Sequence, residues 1–469
     1  MNLIEFEEII SKNSVMGDNM YGLMEALYPI CRSITGNGVR ETLKIISKYI
    51  PLEIHEVPTG TKVFDWTIPK EWNINDAYVI DPDGKKIIDF KKSNLHVLNY
   101  SIPIHKKIPL SELKNHIQTL PEQPDVIPYR TSYYAKNWGF CMRHNEFLKL
   151  KDGEYEVVID SSFKDGSLTY GEYYIKGKSD DEILISCYVC HPSLCNDNLS
   201  GVVLTTVLAK SLNTFANNYS IRFLFIPETI GAITWLCLNE DKTSKIKHGL
   251  VATCVGDPGK FTYKRSRQGN AIIDRVVTEI LKNSHIEYEI LNFFPLGSDE
   301  RQFCSPGFNL PVGSLCRSIY ASPDFPQYHN SSDNLQLVTK SALIESYSKY
   351  LEIIYHLEQN IIPKSHSDHQ TNKIYNYTKS LKNDEKFLSL NPKCEPQLGK
   401  RGLYSLIGAL VPDQSEQSFL QQALLWVLNF SDGNNSLIDI AERSGIDFKL
   451  IKKSANLLLE NKLLKISNN

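Results

Sequence analysis

From about residue 131 to residue 360, the sequence alternates short β-branched apolar runs with longer segments of helical periodicity. The runs "EILISCYV" (182–189), "IRFLFIPE" (221–228) and "GLVATCVGD" (249–257) have the length and composition of buried strands. Segments such as "LSGVVLTTVLAKSLNTF" (199–215) lie between them and have a helical pattern. Alternating strand and helix units predict an α/β sheet covered by helices on both faces.

The sequence on the N-terminal side has a different texture. Residues 19–50 predict two helices around the turn "SITGNG", and residues 59–130 contain short alternating strands with a "DPDG" hairpin signal. We therefore predict one α/β domain from residues 1–58 and 131–362. A small β-rich domain, residues 59–130, is inserted into it.

The C-terminal region changes again. Residues 363–400 are polar and predict a linker, whereas 401–469 predict a helix, a short helix, an "SGID" turn, another helix and a final strand. This order is typical of a winged helix-turn-helix. Its basic residues are mixed with acids, so a DNA-binding regulator is the minor hypothesis. They are Lys449, Lys452, Lys453 and Lys462.

Composition narrows the classes of partner. The net charge is −3, so the chain has no broad basic field and we do not expect nucleic acid binding. The N-terminus has no signal-peptide pattern, and no run approaches about 18 apolar residues, so we expect no membrane partner. Ten scattered cysteines without a secretion signal favour reduced thiols and a cytoplasmic location. Homo-oligomerisation stays open.

The stretch "CYVCHPSLCNDNLSG" (187–201) concentrates reactive side chains. Its first five letters fit a c-type haem attachment motif, and its cysteines also allow a zinc site or a redox pair. A chain that is not exported disfavours haem, and a second cysteine pair at zinc spacing is not evident. Cys187 ends a buried strand and is most simply a core residue. We therefore interpret the cysteines as bystanders.

Polar residues follow several of the predicted strands. His191, Glu228 and Asp257 come after separate apolar runs, and ligand sites in such sheets lie beyond strand C-termini. With Asp197 and His329 they supply imidazole and carboxylate ligands suited to zinc, and a further carboxylate to take a proton from water. Each residue alone also has a structural explanation, such as a helix cap or a turn. Together they predict metal-assisted hydrolysis.

Five segments in order resemble a known superfamily. They are "HPSLCNDNLSG" (191–201), "FLFIPETIGAITWL" (223–236), "TCVGDPG" (253–259), "GSDERQFCSPGFNLPVGSL" (297–315) and "YHNSSDNLQLV" (328–338). This set is similar to the zinc metallo-aminopeptidases, and most similar to bacterial aminopeptidase-like proteins often labelled polysaccharide biosynthesis proteins. The resemblance implies a phosphorylase/hydrolase-like zinc exopeptidase fold: a three-layer αβα core with a mixed sheet, an inserted β-rich domain and a C-terminal winged helix.

The resemblance also implies roles. His191, Asp197 and Asp257 match one metal site, Asp197 is the bridging carboxylate, and Asp197 with His329 belongs to a second site. Glu228 matches the general base. Thr229 stands where the family has a carboxylate ligand, so one or two zinc ions are expected.

Two charged segments are candidates for substrate binding. "YKRSRQGN" (263–270) offers Arg265 and Arg267, which could bind a carboxylate or phosphate, or form a solvated basic turn. "GSDERQF" (297–303) offers Ser298 and Asp299 as pocket residues, or a salt-bridged loop. The aromatic "TSYYAKNWGFC" (131–141) predicts core or a pocket wall, and "CEPQLGKRGLY" (394–404) predicts a loop folded over an unknown partner.

The leading hypothesis is a zinc-dependent hydrolase that cleaves a peptide or amide bond in a small substrate. In a polysaccharide setting the scissile group is an acyl amide on an amino sugar. The alternative is a non-catalytic aminopeptidase-like binding protein, which Thr229 favours and the retained metal-site residues disfavour.

Overall fold

A mixed eight-stranded sheet forms the centre of the protein. The computed structural model describes residues 7, 13–320, 322–360, 385–405, 407–410 and 415–467. The four middle strands run parallel, and the flanking strands include antiparallel pairs. From edge to edge the strands are Glu53–Pro58, Ser167–Ile175, Ser220–Ile226, Glu182–Tyr188, Ile246–Ala252, Val312–Cys316, Phe261–Lys264 and Tyr288–Leu291.

The middle strands are buried on both faces, which explains their unbroken apolar sequences. Every residue of Glu182–Tyr188 is buried. Ile183 and Ile185 pack into one hydrophobic cluster, whereas Leu184 and Tyr188 pack into another on the opposite face. Side chains that alternate between two apolar layers require cover on both sides of the sheet.

Helices and the insert supply that cover. The long helices share the first hydrophobic cluster, and the helix Ile230–Leu238 shares the second with the insert. The predicted αβα layering with a mixed sheet is confirmed. The helices of the first layer are Asn13–Leu27, Asn37–Ile46, Gly201–Leu212, Ile272–Lys282 and Lys340–Glu358.

The insert is built on a four-stranded antiparallel sheet. Its strand order is Lys86–Asp89, Glu71–Ile80, Glu154–Lys164 and Ile104–Pro109. The strand Glu154–Lys164 belongs to this sheet because it pairs with Glu71–Ile80 along most of its length. It lies outside the predicted insert boundaries 59–130. Two short strand pairs complete the insert: Lys62–Val63 with Trp66–Thr67, and Ile117–Gln118 with Phe140–Cys141.

Two neighbouring stretches of chain connect the insert to the central sheet. The strand Glu154–Lys164 of the insert is followed almost at once by Ser167–Ile175 of the central sheet. Beside this junction, the Thr59 N–H donates to the Gly166 carbonyl at 2.8 Å, and the Gly166 N–H donates to Thr59 Oγ1 at 3.1 Å. The two crossings are therefore hydrogen-bonded to each other.

The C-terminal module is a winged helix, as predicted. Its three-stranded sheet includes Lys386–Ser389, so the chain that we predicted to be linker up to residue 400 enters this module earlier. Residues 361–384 of that linker lie outside the described residues. Gly445 closes one helix in the left-handed conformation, and Asp447 caps the next one. The other elements are Glu416–Phe430, Asp432–Ser436, Leu437–Ser444, Phe448–Glu460 and Leu464–Ile466.

Short elements complete the fold. The small helices are Leu110–Leu113, His144–Phe147, Glu240–Thr243 and Glu300–Phe303, with 3₁₀ turns at Asn94–His96, Lys114–His116 and Gly399–Arg401. All ten cysteines are free thiols. Within the described residues, each helix is too short or too polar to cross a bilayer.

Candidate metal centre

Two neighbouring parallel strands carry the first two site residues at their ends. His191 follows Glu182–Tyr188, and Glu228 follows Ser220–Ile226. Parallel strands present their carboxyl ends at one edge of a sheet, so the two side chains meet there. His191 Nε2 lies 3.8 Å from Glu228 Oε2.

Three buried side chains converge next to this pair. His329 Nε2 lies 3.0 Å from Asp197 Oδ2, and His191 Nε2 lies 3.7 Å from the same oxygen. One ligand atom from each residue lies within 4.8 Å of the other two. Two ligands bound to a tetrahedral zinc ion at about 2.1 Å are about 3.4 Å apart, so these separations suit one shared ion.

The free atoms of the cluster have the chemistry of metal ligands. His329 Nδ1 lies 3.0 Å from the Ala409 carbonyl, which can only accept, so Nδ1 donates there and Nε2 faces the cluster. His329 Nε2 and Asp197 Oδ2 are buried and face each other at 3.0 Å, and neither has a hydrogen-bond partner beyond this contact in the described part of the chain. Burial lowers the pKa of His191 to about 4, so its imidazole is neutral. These properties fit a divalent cation.

Asp197 is held in place from two sides. The Tyr188 hydroxyl donates to Oδ1, and the Asp197 N–H donates to Asp333 at 2.9 Å. Asp333 also accepts the N–H groups of Cys195 and Asn196, so it organises the whole loop. Burial alone raises the pKa of Asp197, but the two histidines and the tyrosine bring it down to about 2. Asp197 is therefore ionised, with Oδ2 facing the histidines.

Glu228 combines access to solvent with an unfavourable setting for its charge. Its side chain is 27% exposed and faces a cavity. Burial raises its pKa well above the ordinary value, and the carboxylates of Asp299 and Asp197 raise it further. A carboxylate with a raised pKa is a stronger base. The Glu228 N–H donates to Cys190 Sγ at 3.2 Å, so this cysteine contacts the site.

Thr229 follows Glu228 in a strained turn. It has φ 64° and ψ −73°, and the Ile230 N–H donates across it to the Glu228 carbonyl at 2.8 Å. Such a γ-turn is rare, and strained for a β-branched residue. Asp299 Oδ1 accepts the Thr229 N–H at 2.6 Å, and Arg301 Nη2 donates to Thr229 Oγ1 at 2.9 Å. These two anchors hold the turn and thereby the direction of Glu228.

The structure does not bring Asp257 into the cluster. Its Oδ1 accepts from Ser318 Oγ at 2.6 Å, and its Oδ2 accepts from Asn196 Nδ2 at 2.8 Å. The carboxylate is thus engaged by protein donors and supports the loop that carries Asp197. This geometry does not support the assignment of Asp257 as a metal ligand.

The basic turn predicted to bind substrate supports the fold instead. Arg267 Nη2 lies 2.6 Å from Asp432 Oδ2 and joins the core to the winged helix. Arg265 donates its backbone N–H to the Leu291 carbonyl at 3.0 Å, between two strand ends. A neighbouring module, invisible in the local sequence, takes up the charge of Arg267, whereas substrate binding by Arg265 stays a prediction.

The "GSDERQF" segment lies mostly behind the site. Ser298 and Asp299 are 2% and 0% exposed, and Asp299 contacts the turn after Glu228 rather than the cavity. Burial raises the pKa of Asp299 to about 7. Arg301 is the member of this segment that lines the cavity. Neither Ser298 nor Asp299 lines the cavity, and Asp299 supports the turn after Glu228.

A cavity of about 320 Å³ opens over the cluster. The Tyr129 ring lies 5.1 Å from His191 and 5.2 Å from His329, centroid to centroid. Its hydroxyl lies 3.0 Å from the Tyr133 hydroxyl, and Tyr134 meets Trp66 of the insert edge-on at 5.2 Å. Aromatic rings therefore line the path from the cluster to the insert.

A segment of the C-terminal module closes the other side of the cavity. We call residues 394–405 and 407–409 the strap. The segment "CEPQLGKRGLY" lies within the strap, so the loop predicted from the sequence folds over this cavity. The sequence does not predict the roles of Ala409 and Tyr129, because these roles depend on contacts between distant parts of the chain. The strap residues in the wall are Glu395, Gln397, Leu398, Gly399, Lys400, Tyr404, Ser405, Gly408 and Ala409.

Comparison with solved structures defines the class. The fold is similar to a zinc aminopeptidase from Bacillus subtilis, with a TM-score of 0.54 at 13% identity over 73% of this chain and 95% of that one. It is similar to a peptidase M28 precursor from Shewanella amazonensis, with a TM-score of 0.54 at 12% identity over 75% of this chain and 96% of that one. The protein thus has an aminopeptidase-like fold.

The chain belongs to the family described as "Domain of unknown function (DUF4910)", which matches residues 21–360. A winged helix-turn-helix family matches residues 385–466. A Clostridium acetobutylicum protein, named provisionally for polysaccharide biosynthesis with an aminopeptidase-like domain, is 55% identical over 98% of this chain and 99% of its own. A crystal structure from that organism, described provisionally as a peptidase, has a TM-score of 0.74 at 53% identity over 99% of this chain and 100% of that one.

Proposed function

We propose that this protein is a zinc-dependent hydrolase of aminopeptidase type that cleaves a peptide or amide bond in a small substrate. The observation that carries the proposal is the convergence of three buried ligand atoms beside Glu228. His329 Nε2 and Asp197 Oδ2 lie 3.0 Å apart and are otherwise unpartnered in the described part of the chain. Buried polar atoms in this state are costly unless a ligand satisfies them.

The ligand set supports one ion. Two imidazoles and one carboxylate leave a position open, as catalytic zinc sites require. Tyr188 takes the second oxygen of Asp197, and Thr229 offers no carboxylate for another ion. We therefore assign His191, Asp197 and His329 to a single zinc site.

Glu228 is the proton-transfer group of the proposed reaction. Zinc, when bound, polarises the scissile carbonyl and lowers the pKa of water. Glu228 Oε2 accepts the proton of the attacking water and delivers it to the departing nitrogen, which leaves as the amine. The raised pKa of Glu228 suits both steps, because the group must accept and then release a proton.

The enclosing wall limits the substrate to a small molecule or a chain terminus. Trp66 and Tyr134 on one side and the strap on the other side bound the cavity. The name of the Clostridium relative motivates N-acylated amino sugars as candidates beside aminoacyl amides. A panel of both substrate types separates a peptidase from an amino-sugar amidase.

The test combines metal content with turnover. Protein purified without chelator should contain one zinc per chain by elemental analysis, and His191→Ala and His329→Ala should lose it. Asp257→Asn should keep zinc, because Asp257 lies outside the cluster, and His248→Gln serves as a buried histidine control. Glu228→Gln should retain zinc but lose about 10²–10⁴-fold in kcat on any panel substrate that wild type cleaves.

The opposite results are equally informative. A wild-type protein that binds no supplied zinc would refute the metal site and favour the non-catalytic binding protein. Zinc binding with unchanged turnover in Glu228→Gln would refute the role of the base. Loss of zinc in Asp257→Asn, with the melting temperature unchanged, would restore Asp257 as a ligand.

A further inference from the structure

The strap reaches the metal centre from a module with its own sheet and helices. Its chain leaves the strand Lys386–Ser389, which pairs with two other strands of the winged helix. Cys394 then donates its N–H to Ser305 Oγ at 2.9 Å and enters the core. The strap therefore joins the sheet of the winged helix to the wall of the cavity.

The far end of the strap contacts a metal ligand. The Ala409 carbonyl accepts from His329 Nδ1 at 3.0 Å and from Arg130 Nη1 at 3.1 Å. Gly408 and Thr131 exchange backbone hydrogen bonds of 2.8 and 3.3 Å, which fix the position of that carbonyl. Partners of this kind set the tautomer and the direction of a metal-binding imidazole.

The near end of the strap reaches the turn that follows Glu228. Glu395 Oε2 lies 3.3 Å from Arg301 Nη1, and Arg301 Nη2 donates to Thr229 Oγ1 at 2.9 Å. The side chains of Glu395 and Arg301 are only 12% and 15% exposed, so solvent screens this pair weakly. The strap therefore holds one of the two anchors of the strained turn.

Between these ends the strap is fastened to the insert. Asp65 accepts the Gln397 N–H at 2.8 Å, and its carboxylate pairs with Lys400 at 2.9 Å and with Arg401 at 2.6 Å. The Trp66 indole donates to the Glu395 carbonyl at 2.8 Å. The strap is thus clipped over the cavity at a point outside the cluster.

We infer that the strap positions both halves of the active site: Ala409 holds the zinc ligand His329, and Glu395 holds the turn that aims Glu228. The inference rests on the proposed function and extends it. The winged-helix module is part of the catalytic unit, and zinc affinity and turnover depend on its docking. Ala409 and Glu395 are positioning residues, acting through His329 and Arg301.

The contacts of Ala409 and of Glu395 should affect different measured quantities, the first zinc affinity and the second turnover. Ala409 has φ 58°, which proline cannot adopt and glycine can. In the full-length protein, Ala409→Pro should weaken zinc affinity about 10-fold or more, measured by competition with a chromophoric chelator, whereas Ala409→Gly should bind zinc more tightly than Ala409→Pro. Glu395→Gln should leave zinc affinity unchanged and lower kcat about 10-fold or more.

Two further variants provide a second probe of the strap and a control. Asp65→Asn releases the clip without touching the cluster and should weaken zinc affinity even if Ala409→Pro fails to fold. Glu240→Gln breaks the exposed ion pair with Lys393, the residue just before the strap, and should change neither zinc affinity nor kcat. A wild-type protein without zinc affinity would overturn the proposed function and this inference with it. Normal zinc affinity in folded Ala409→Pro and in Asp65→Asn would overturn this inference alone.

Discussion

Substitution of Asp333 tests how the loop that carries Asp197 is held in place. Asp333 is fully buried and accepts three backbone N–H groups: Cys195 at 3.1 Å, Asn196 at 2.6 Å and Asp197 at 2.9 Å. Asp333→Asn keeps the size of the side chain but replaces one acceptor oxygen with an NH₂ donor. At least one loop N–H then loses its acceptor and faces another donor.

The expected cost follows from this count. Burial raises the pKa of Asp333 to about 8, so the increment for a charged acceptor does not apply. A buried N–H that loses its acceptor costs about 1–3 kcal/mol, and we expect Asp333→Asn to lower the free energy of unfolding by about that amount. Zinc affinity should fall as well, because the loop carries the ligand Asp197.

The assay is urea unfolding with a chelator present, so that bound zinc does not contribute to the measured stability. Asp324→Asn is the control, since its side chain is 66% exposed and should change the free energy by less than about 0.5 kcal/mol. An unfolding free energy of Asp333→Asn within about 0.5 kcal/mol of wild type would refute the account of the loop.

Two other predictions concern stability away from the site. Arg222→Met removes the cation from Glu182, which is 2% exposed and only 2.7 Å away, so the free energy of unfolding in urea should fall by about 3–5 kcal/mol. A hydrogen bond from Arg40 lowers the pKa of Glu71 to about 2 from its usual 4.5. The stabilisation of the folded state by this pair is therefore fully present above pH 4.5 and disappears toward pH 2. Melting temperatures from pH 6 to pH 3 should show Arg40→Ala less stable than wild type at pH 6, with the gap shrinking in acid, and a constant gap would contradict the assignment.

Much of the fold was accessible from the sequence because the central strands are buried on both faces. Continuous apolar runs and helical patterns encode that burial directly, as in Glu182–Tyr188 and Gly201–Leu212. The partner of a strand is not encoded in this way. The predicted domain boundaries place Glu154–Lys164 in the α/β domain. The strand instead pairs with Glu71–Ile80, far away in the sequence, and belongs to the sheet of the insert.

The site was predictable where a residue directly follows a strand. His191 and Glu228 meet because their parallel strands end together. Asp257 comes later in its loop, and there Ser318 and Asn196 satisfy its carboxylate. The sequence predicts a folded-over loop at 394–404 but not its partner, because the contact between Ala409 and His329 spans two modules and uses a backbone carbonyl.

The paired crossings between the insert and the central sheet have a mechanical consequence. A single flexible linker allows a domain to swing, but two hydrogen-bonded stretches side by side act as a stiff beam. Glu53–Pro58 pairs with Ser167–Ile175 up to the crossing, and pairing resumes between Glu71 and Lys164 just beyond it. We therefore expect the aromatic wall carried by the insert to stand at a fixed distance from His191 and His329. Under the proposed function, we expect substrates to be selected by the dimensions of a rigid aperture, not by a domain closing around them.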